Sequence, residues 1–283
     1  MRRVHAFHFV PSPKFVRNKQ ATNKSFLQMS ISISSSTTAT VPRFLSDFER
    51  SQSLMPSIVE QALIHGDEEN VNAQDLLHRL DMTPKEREVA MMALHDENPD
   101  QHLLNVPSLL SNLECKRLRN FIDSKIMVKQ QGDFGMDDVD HCPDFQIHMT
   151  ETKLRKILGK NTMDQLLQVP CQLMDQNQKH HSDTIMSGDG WQDGNNVGIF
   201  LRRYEPDARP WMPFHLDQNA FTVNVALNSD SEFEGGRLLA LYSNQIEIIP
   251  RNEGDVTCHR GSVVHGVSCI TQGCRYSMIL FFH

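Results

Sequence analysis

The alternation of apolar and polar residues divides the chain into a helical first part and a strand-rich last part. Between residues 53 and 98, apolar side chains recur at helical spacing, as Ile58 and Ala62 do, which predicts short helices. From residue 197 onward the period falls to two. The strand-like runs are Val197–Tyr204, Phe221–Leu227, Arg237–Tyr242, Ile246–Pro250 and Arg275–Phe282. Such closely spaced strands predict a sandwich or jelly roll, so the fold class is α+β.

Local signals place the helices more closely. Leu76, Leu77 and Leu80 mark one short helix. A capping box from Thr83 to Glu86, with proline at the first helical position, opens another that runs to about His95. Residues 103–125 are predicted to form a strand and then a helix, and residues 149–175 further helix.

The first 46 residues differ in charge from the rest of the chain. They carry seven Lys and Arg, no acidic residue and a Ser-rich stretch, which suits a mitochondrial or plastid transit peptide. A disordered basic tail on a cytoplasmic protein and a secretory signal leading to the endoplasmic reticulum are the alternatives. The predicted organisation is a basic segment at 1–46, a helical leader at 47–100 and a main domain at 101–283.

Charge and hydropathy exclude some classes of function. Beyond residue 46, 21 basic residues face 35 acidic ones, so we expect no nucleic-acid partner. No apolar run reaches the length of a membrane span, so none is expected. The sequence does not indicate an oligomeric state.

A metal site is predicted from His215, Asp217 and His265. The H-x-D tripeptide is weak alone, because His181 and Asp183 form another in a polar stretch that we interpret as surface loop. His215 and Asp217 instead precede an alternating strand, and His265 follows downstream. Two imidazoles and one carboxylate can hold three positions of an octahedral Fe(II) and leave the others open.

A carboxylate site is predicted at the start of the last strand. Strand alternation places Arg275, Ser277, Ile279 and Phe281 on one face. An arginine beside a hydroxyl offers a forked cation and a further donor to a carboxylate. An arginine facing solvent is the alternative.

From about residue 197 to the end, the chain resembles the prolyl 4-hydroxylase and procollagen-lysyl hydroxylase superfamily of 2-oxoglutarate- and Fe(II)-dependent dioxygenases. The similarity is strong over 197–283 and loose over 103–283. It is carried by the segments Leu201–Tyr204, His215–Asp217, Thr222–Asn228, Phe233–Gly236, Ile249–Pro250, His265–Val267 and Gly273–Tyr276.

The resemblance implies a double-stranded β-helix core at about 197–283, supported by the N-terminal helices. It also implies Fe(II), 2-oxoglutarate and O2, with ascorbate as an expected addition. In that interpretation Tyr204 points towards the 2-oxoglutarate carboxylate, and Arg275 with Ser277 binds it. The expected reaction is hydroxylation of a prolyl or lysyl side chain of a protein or peptide, coupled to decarboxylation of 2-oxoglutarate to succinate.

Several alternatives stay open at this point. The substrate could be a free amino acid or a small metabolite, or the domain could be a non-catalytic binding module or a cupin-like metal enzyme. His259 could replace His265 as the second imidazole, although we interpret it as a packing or loop residue. Trp191 and Trp211 are candidate substrate-recognition residues or packing residues.

Overall fold

The structure is a computed structural model, and it describes residues 72–96, 98, 100, 102–129, 137, 146–178 and 197–283. The basic segment 1–46, most of the helical leader, the His181/Asp183 tripeptide and Trp191 lie outside these residues. No helix within the described ranges is long and apolar enough to cross a membrane.

In the part of the chain that the structure describes, five α-helices precede or interleave with the first strands. They are α1 (Ala73–Arg79), α2 (Pro84–Leu94), α3 (Asn112–Lys129), α4 (Glu151–Leu158) and α5 (Lys160–Gln178). The prediction of one helical region at 149–175 is refined in two ways. Met149 ends a strand, and Gly159, with φ of 85°, separates two helices. Glycine suits that left-handed backbone because it lacks the Cβ that would clash.

Within the described residues, ten strands form two antiparallel sheets. They are β1 (Leu103–Val106), β2 (Gln146–Met149), β3 (Val197–Tyr204), β4 (Met212–His215), β5 (Phe221–Ala226), β6 (Leu238–Tyr242), β7 (Gln245–Ile249), β8 (Val256–Arg260), β9 (Val264–Val267) and β10 (Arg275–Phe282). The large sheet has the order β1-β8-β5-β10-β3-β2, and the small sheet has the order β4-β9-β6-β7. The large sheet therefore extends beyond the predicted core range and takes β1 and β2 from earlier in the chain.

Both faces of the large sheet are buried at its central strand β5, but they differ in chemistry. Along β5, Val223 and Val225 belong to an apolar core, while Thr222 and Asn224 alternate with them and are also buried. Alternation usually separates a core face from a solvent face. Here the polar face is shielded from water, and buried polar groups call for specific partners.

Helices cover the apolar face of the large sheet. Leu118 and Ile122 of α3 and Leu166 of α5 share one core cluster with Val223 and Leu280. These side chains are fully buried, which stabilises each by roughly 1.5–3 kcal/mol relative to exposure. Because the helices cover the apolar face, the polar face of the sheet is left to line the interior of the strand-rich region.

The first two helices pack on the small sheet. Leu76 and Leu77 of α1 and Leu94 of α2 share a cluster with Leu239 of β6 and Val264 of β9. This contact attaches the described end of the helical leader to the sheet that carries β4 and β9.

The capping box predicted for α2 is present. The Thr83 side chain accepts from the Glu86 N–H, and the Glu86 carboxylate accepts from the Thr83 N–H at 2.8 Å. We expect Thr83→Ala to lower the free energy of unfolding by about 1 kcal/mol, because a backbone donor at the helix start loses its partner. Urea denaturation measures this change, and Thr83→Ser, which keeps the hydroxyl, is the control. Equal stability of the alanine variant and the original chain would contradict the capping role.

Candidate metal centre

Pairing between β4 and β9 brings the two predicted histidines together. His215 and His265 are direct partners in this antiparallel pair, and their ring centroids are 4.4 Å apart. Neither strand was predicted from the sequence. Fifty positions apart in the chain, the two imidazoles meet because His215 ends β4 and His265 is the second residue of β9, which pairs with β4.

Asp217 completes the group just beyond the end of β4. Its carboxylate oxygens lie 3.4 Å from His215 Nε2 and 3.5 Å from His265 Nε2. The possible ligand atoms of these three residues all lie within 4.8 Å of one another. Such spacing fits three donors around one ion, as the sequence predicted.

Neighbouring residues hold Asp217 in place. The Thr222 hydroxyl donates to the Asp217 carboxylate, and the Asn219 amide donates to Thr222 Oγ1 at 3.0 Å. Gly261 lies against this loop, since a Cβ there would come within 2.0 Å of the Asn219 carbonyl oxygen. Sequence reasoning missed these supports. The available signal for them was the Thr222 hydroxyl, which lies at the start of an alternating strand close to the H-x-D tripeptide.

Backbone carbonyls orient both imidazoles. His215 Nδ1 lies 2.8 Å from the Pro213 carbonyl oxygen, and His265 Nδ1 lies 3.2 Å from that of Val263. A carbonyl accepts only, so Nδ1 carries the proton in each ring. Nε2 therefore presents a lone pair towards Asp217, which is the arrangement that metal-binding histidines use.

The charges of the group are coupled. Burial opposes ionisation of Asp217, but His265, His215 and His259 outweigh it and lower the pKa of this carboxyl below its ordinary value. Burial lowers the pKa of His265 well below its usual range. Burial also opposes the charged form of His215, but Asp217 outweighs it and raises the pKa of that ring. A carboxylate and two imidazoles of this kind suit Fe(II).

These pKa shifts predict a pH dependence of metal binding. His265 is already neutral and Asp217 already ionised, whereas the raised pKa of His215 makes protons compete with metal for its Nε2. We expect the affinity for Mn(II) to fall as the pH drops below the raised pKa of His215, by up to about tenfold per pH unit, with one proton released per ion bound in that range. Calorimetry in two buffers of different ionisation enthalpy measures this release, and a pH-independent affinity would contradict it.

Arg275 is buried without the partners that an arginine ordinarily needs. Its side chain is 1% exposed, and none of its three nitrogens has a hydrogen-bond partner among the described residues. The buried hydroxyl of Ser277, two residues along the same face, also lacks one. Burial lowers the pKa of Arg275 below its ordinary value. The alternative of a solvent-facing arginine is therefore wrong.

Tyr204 lies next to this cation. The Arg275 guanidinium is stacked 4.8 Å from the centre of the Tyr204 ring, and the two residues are register partners across β3 and β10. The phenol oxygen accepts from Arg202 Nη1 at 3.3 Å. Arg202 in turn pairs with Asp137 at 2.6 Å. The ring thus forms one wall beside the unpaired guanidinium.

The cation lies on the same face of the large sheet as Thr222, the residue that holds Asp217. Phe281 pairs with Thr222, which hydrogen-bonds Asp217, and Ser277 pairs with Ala226 further along the same two strands. Residues at every second position of a strand face the same side. Arg275, Ser277, Phe281 and Thr222 therefore point into the interior between the sheets.

His259 lies closer to the centre than a loop residue would. It is in β8, buried to 2% exposure, with its ring 4.2 Å from that of His265 and its Nε2 4.0 Å from Asp217 Oδ2. The loop interpretation is wrong, and packing against the centre is what the structure shows. Trp211 is also buried, which favours its packing role over substrate recognition.

Comparisons with known proteins were made by sequence and by structure. No family model matches the chain. A procollagen-lysine,2-oxoglutarate 5-dioxygenase 1 of Mus musculus is 38% identical over 85 residues, which is 29% of this chain and 12% of that protein. The procollagen-lysine,2-oxoglutarate 5-dioxygenase of Drosophila melanogaster is 31% identical over 86 residues, again 29% and 12%. The resemblance to these dioxygenases is confirmed. The chain spans about an eighth of the length of these relatives.

Solved structures give a weaker likeness. A Pseudomonas putida prolyl-4-hydroxylase matches 71% of this chain and 100% of its own, with 16% identity and a TM-score of 0.45. A Trichoplax adhaerens prolyl hydroxylase in complex with a peptide fragment of a hypoxia inducible factor matches 70% and 90%, with 12% identity and a TM-score of 0.44.

Proposed function

We propose that the chain is an Fe(II)- and 2-oxoglutarate-dependent dioxygenase that hydroxylates a lysyl or prolyl side chain of a protein or peptide. Bound Fe(II), with 2-oxoglutarate and O2, supplies hydroxylation of a C–H bond coupled to decarboxylation of 2-oxoglutarate to succinate. Ascorbate is the proposed reductant that keeps the iron ferrous.

The Arg275 guanidinium carries this proposal, because it has no hydrogen-bond partner among the described residues. A buried cation without hydrogen-bond partners is costly, so its retention indicates a ligand that neutralises it. The Ser277 hydroxyl on the same face adds a donor, which suits a carboxylate. A metal triad alone fits several enzyme classes, whereas a triad together with a buried site that binds a carboxylate favours a 2-oxoacid bearing a second carboxylate.

The sheet topology supports a double-stranded β-helix. Beginning at β3, successive strands alternate between the large and the small sheet, except that β6 and β7 are neighbours in the small one. The polar face of the large sheet and the histidines of the small sheet then line one interior. We propose that residues 101–283 form the oxygenase domain around it.

Each candidate residue has a distinct role in this proposal. His215, Asp217 and His265 would hold the iron through Nε2, a carboxylate oxygen and Nε2. Arg275 and Ser277 would bind the distal carboxylate of 2-oxoglutarate, and Tyr204 would keep water from the guanidinium by covering it. Thr222 steadies Asp217 by donating to its carboxylate. These fixed, dry contacts position the co-substrate before reaction.

The proposed substrate class is based on the names of the similar proteins. The proteins that match at 31–38% identity are named for dioxygenation of procollagen lysine, so a lysyl side chain in a peptide is placed first. A prolyl side chain is placed second. A free amino acid or a small metabolite would use the same chemistry at the same centre.

The test is a screen for succinate release. Purified chain with Fe(II), ascorbate and 2-oxoglutarate is given lysyl peptides, prolyl peptides, free amino acids and small metabolites, and succinate is quantified for each. We expect release with a lysyl peptide, together with a product heavier by one oxygen atom. Succinate release only with a free amino acid or a metabolite would show that the proposed substrate class is wrong. No release with any acceptor, together with unchanged iron binding in His215→Ala, would reject the enzyme and favour a binding module.

A further inference from the structure

A second arginine is buried beside the proposed carboxylate site. Arg251 follows β7, and its side chain is 1% exposed. Its Nη1 donates to Asn224 Oδ1 at 2.9 Å, while its Nε has no hydrogen-bond partner among the described residues. None of the roles proposed for the dioxygenase centre uses this cation.

The charge of Arg251 is only loosely balanced. Its ion pair within the described part of the chain is to Asp230 Oδ1, at 3.8 Å. The other oxygen of that carboxylate accepts from the Arg251 backbone N–H at 3.1 Å. Asp230 also lies 3.7 Å from Arg237, so one carboxylate serves two cations. A buried guanidinium of this kind attracts a further anion.

Strand register places Arg251 near Ser277. Asn224 of β5 pairs with Ile279 of β10, and Ala226 pairs with Ser277. Asn224 and Ser277 are therefore diagonal neighbours on one face, a relation that brings Cβ atoms within roughly 7–8 Å. Because Arg251 hydrogen-bonds Asn224, its guanidinium is held on the side of the sheet where Arg275 and Ser277 lack partners.

Two buried cations near each other raise the free energy of this site unless an anion lies between them. Burial, and then the charge of Arg275, lowers the pKa of Arg251 to about 9. Asp230 opposes the shift without cancelling it. A ligand carboxylate between the two arginines would relieve both the desolvation and the repulsion, which a neutral ligand end could not do.

We propose that Arg251 is a second cation of the site for the distal carboxylate and that it sets the preference for a dicarboxylic over a monocarboxylic 2-oxoacid. The inference rests on the proposed function, because it concerns the same co-substrate. Arg275 supplies the first cation, and Arg251 adds a second attraction that only a charged ligand end can use.

The test compares two ligands that differ at one end. Fe(II)-loaded full chain is titrated by calorimetry without oxygen, using 2-oxoglutarate and 2-oxopentanoate, which has a methyl group in place of the distal carboxylate. The variants are Arg251→Met and Arg251→Lys. The control is Arg237→Met, because Arg237 also pairs with Asp230 but its side chain is one third exposed.

We expect Arg251→Met to weaken 2-oxoglutarate binding about 10- to 100-fold, the loss typical of a charged partner, and to change 2-oxopentanoate binding by no more than about twofold. Arg251→Lys should recover part of the loss, and Arg237→Met should match the original chain. Equal losses of affinity for both ligands would overturn the inference, because they would indicate that Arg251 only supports the structure. Unchanged affinity for both ligands would overturn it as well. Failure of the original chain to bind 2-oxoglutarate would instead reject the proposed function, and the inference with it.

Discussion

Replacing His265 with alanine is expected to abolish turnover and to weaken metal binding by more than about 100-fold, beyond the 10- to 100-fold typical of outer-shell partners. The ring is one of three donors whose ligand atoms cluster within 4.8 Å. Its loss leaves Asp217 and His215 to hold the ion alone. Titration with Fe(II) under anaerobic conditions measures the affinity, and succinate release measures turnover.

His259→Ala is the matched control for this prediction. His259 is more buried than His265, but its Nε2 lies 4.0 Å from Asp217 Oδ2, compared with 3.5 Å for His265. We expect the His259 variant to keep one bound ion per chain. Loss of the ion in His259→Ala with retention in His265→Ala would reverse the assignment of the second imidazole.

Replacing Arg275 with methionine is expected to have opposite effects on stability and on co-substrate binding. Binding of 2-oxoglutarate should weaken by about 100-fold or more, because charge-assisted hydrogen bonds to its distal carboxylate are lost. The ligand-free protein should become more stable by at least about 1 kcal/mol, because a buried cation without a hydrogen-bond partner in the described part of the chain is replaced by an apolar side chain. Urea denaturation and anaerobic calorimetry measure the two effects.

Arg203→Met provides the comparison for Arg275. Arg203 is on the other face of β3, where it pairs with Asp123 at 3.0 Å and with Glu205 at 2.8 Å. Its replacement removes satisfied ion pairs, so it should not stabilise the protein, and 2-oxoglutarate binding should be retained. A destabilised Arg275→Met with unchanged 2-oxoglutarate binding would show that the guanidinium serves the fold alone.

Sequence periodicity predicted the strands that are long and apolar. The bounds of β3 and β10 coincide with the predicted runs, and β5 and β6 differ from them by one residue. These strands alternate between an apolar face against the helices and an inward face, so a period of two is visible. The same period is sufficient to predict that Arg275 and Ser277 share one side of the last strand.

The strands that carry the histidines were not predicted, for a physical reason. β4 and β9 have four residues each, and β4 includes Pro213. Proline is unusual within strands, and four residues are too few to show a period. β8 was missed because His259 and Arg260 interrupt its apolar pattern, although both belong to the strand.

The sequence was therefore sufficient to predict the candidate metal ligands, but it predicted less about the residues that surround them. His215, Asp217 and His265 followed from the order of motifs along the chain. The contributions of Thr222, Asn219 and Arg251 depend on which loops and strands meet, as when Arg251 reaches across to Asn224. Contacts between residues far apart in sequence follow from strand register, which local patterns do not encode.

Crystals grown without oxygen with Fe(II) and 2-oxoglutarate would test the central claim most directly, by anomalous diffraction at the iron edge. We predict one strong peak within bonding distance of His215 Nε2, Asp217 and His265 Nε2, with the distal carboxylate of 2-oxoglutarate on Arg275 and Ser277. A peak bound by His259 in place of His265, or a site where Arg275 remains without a carboxylate, would contradict it.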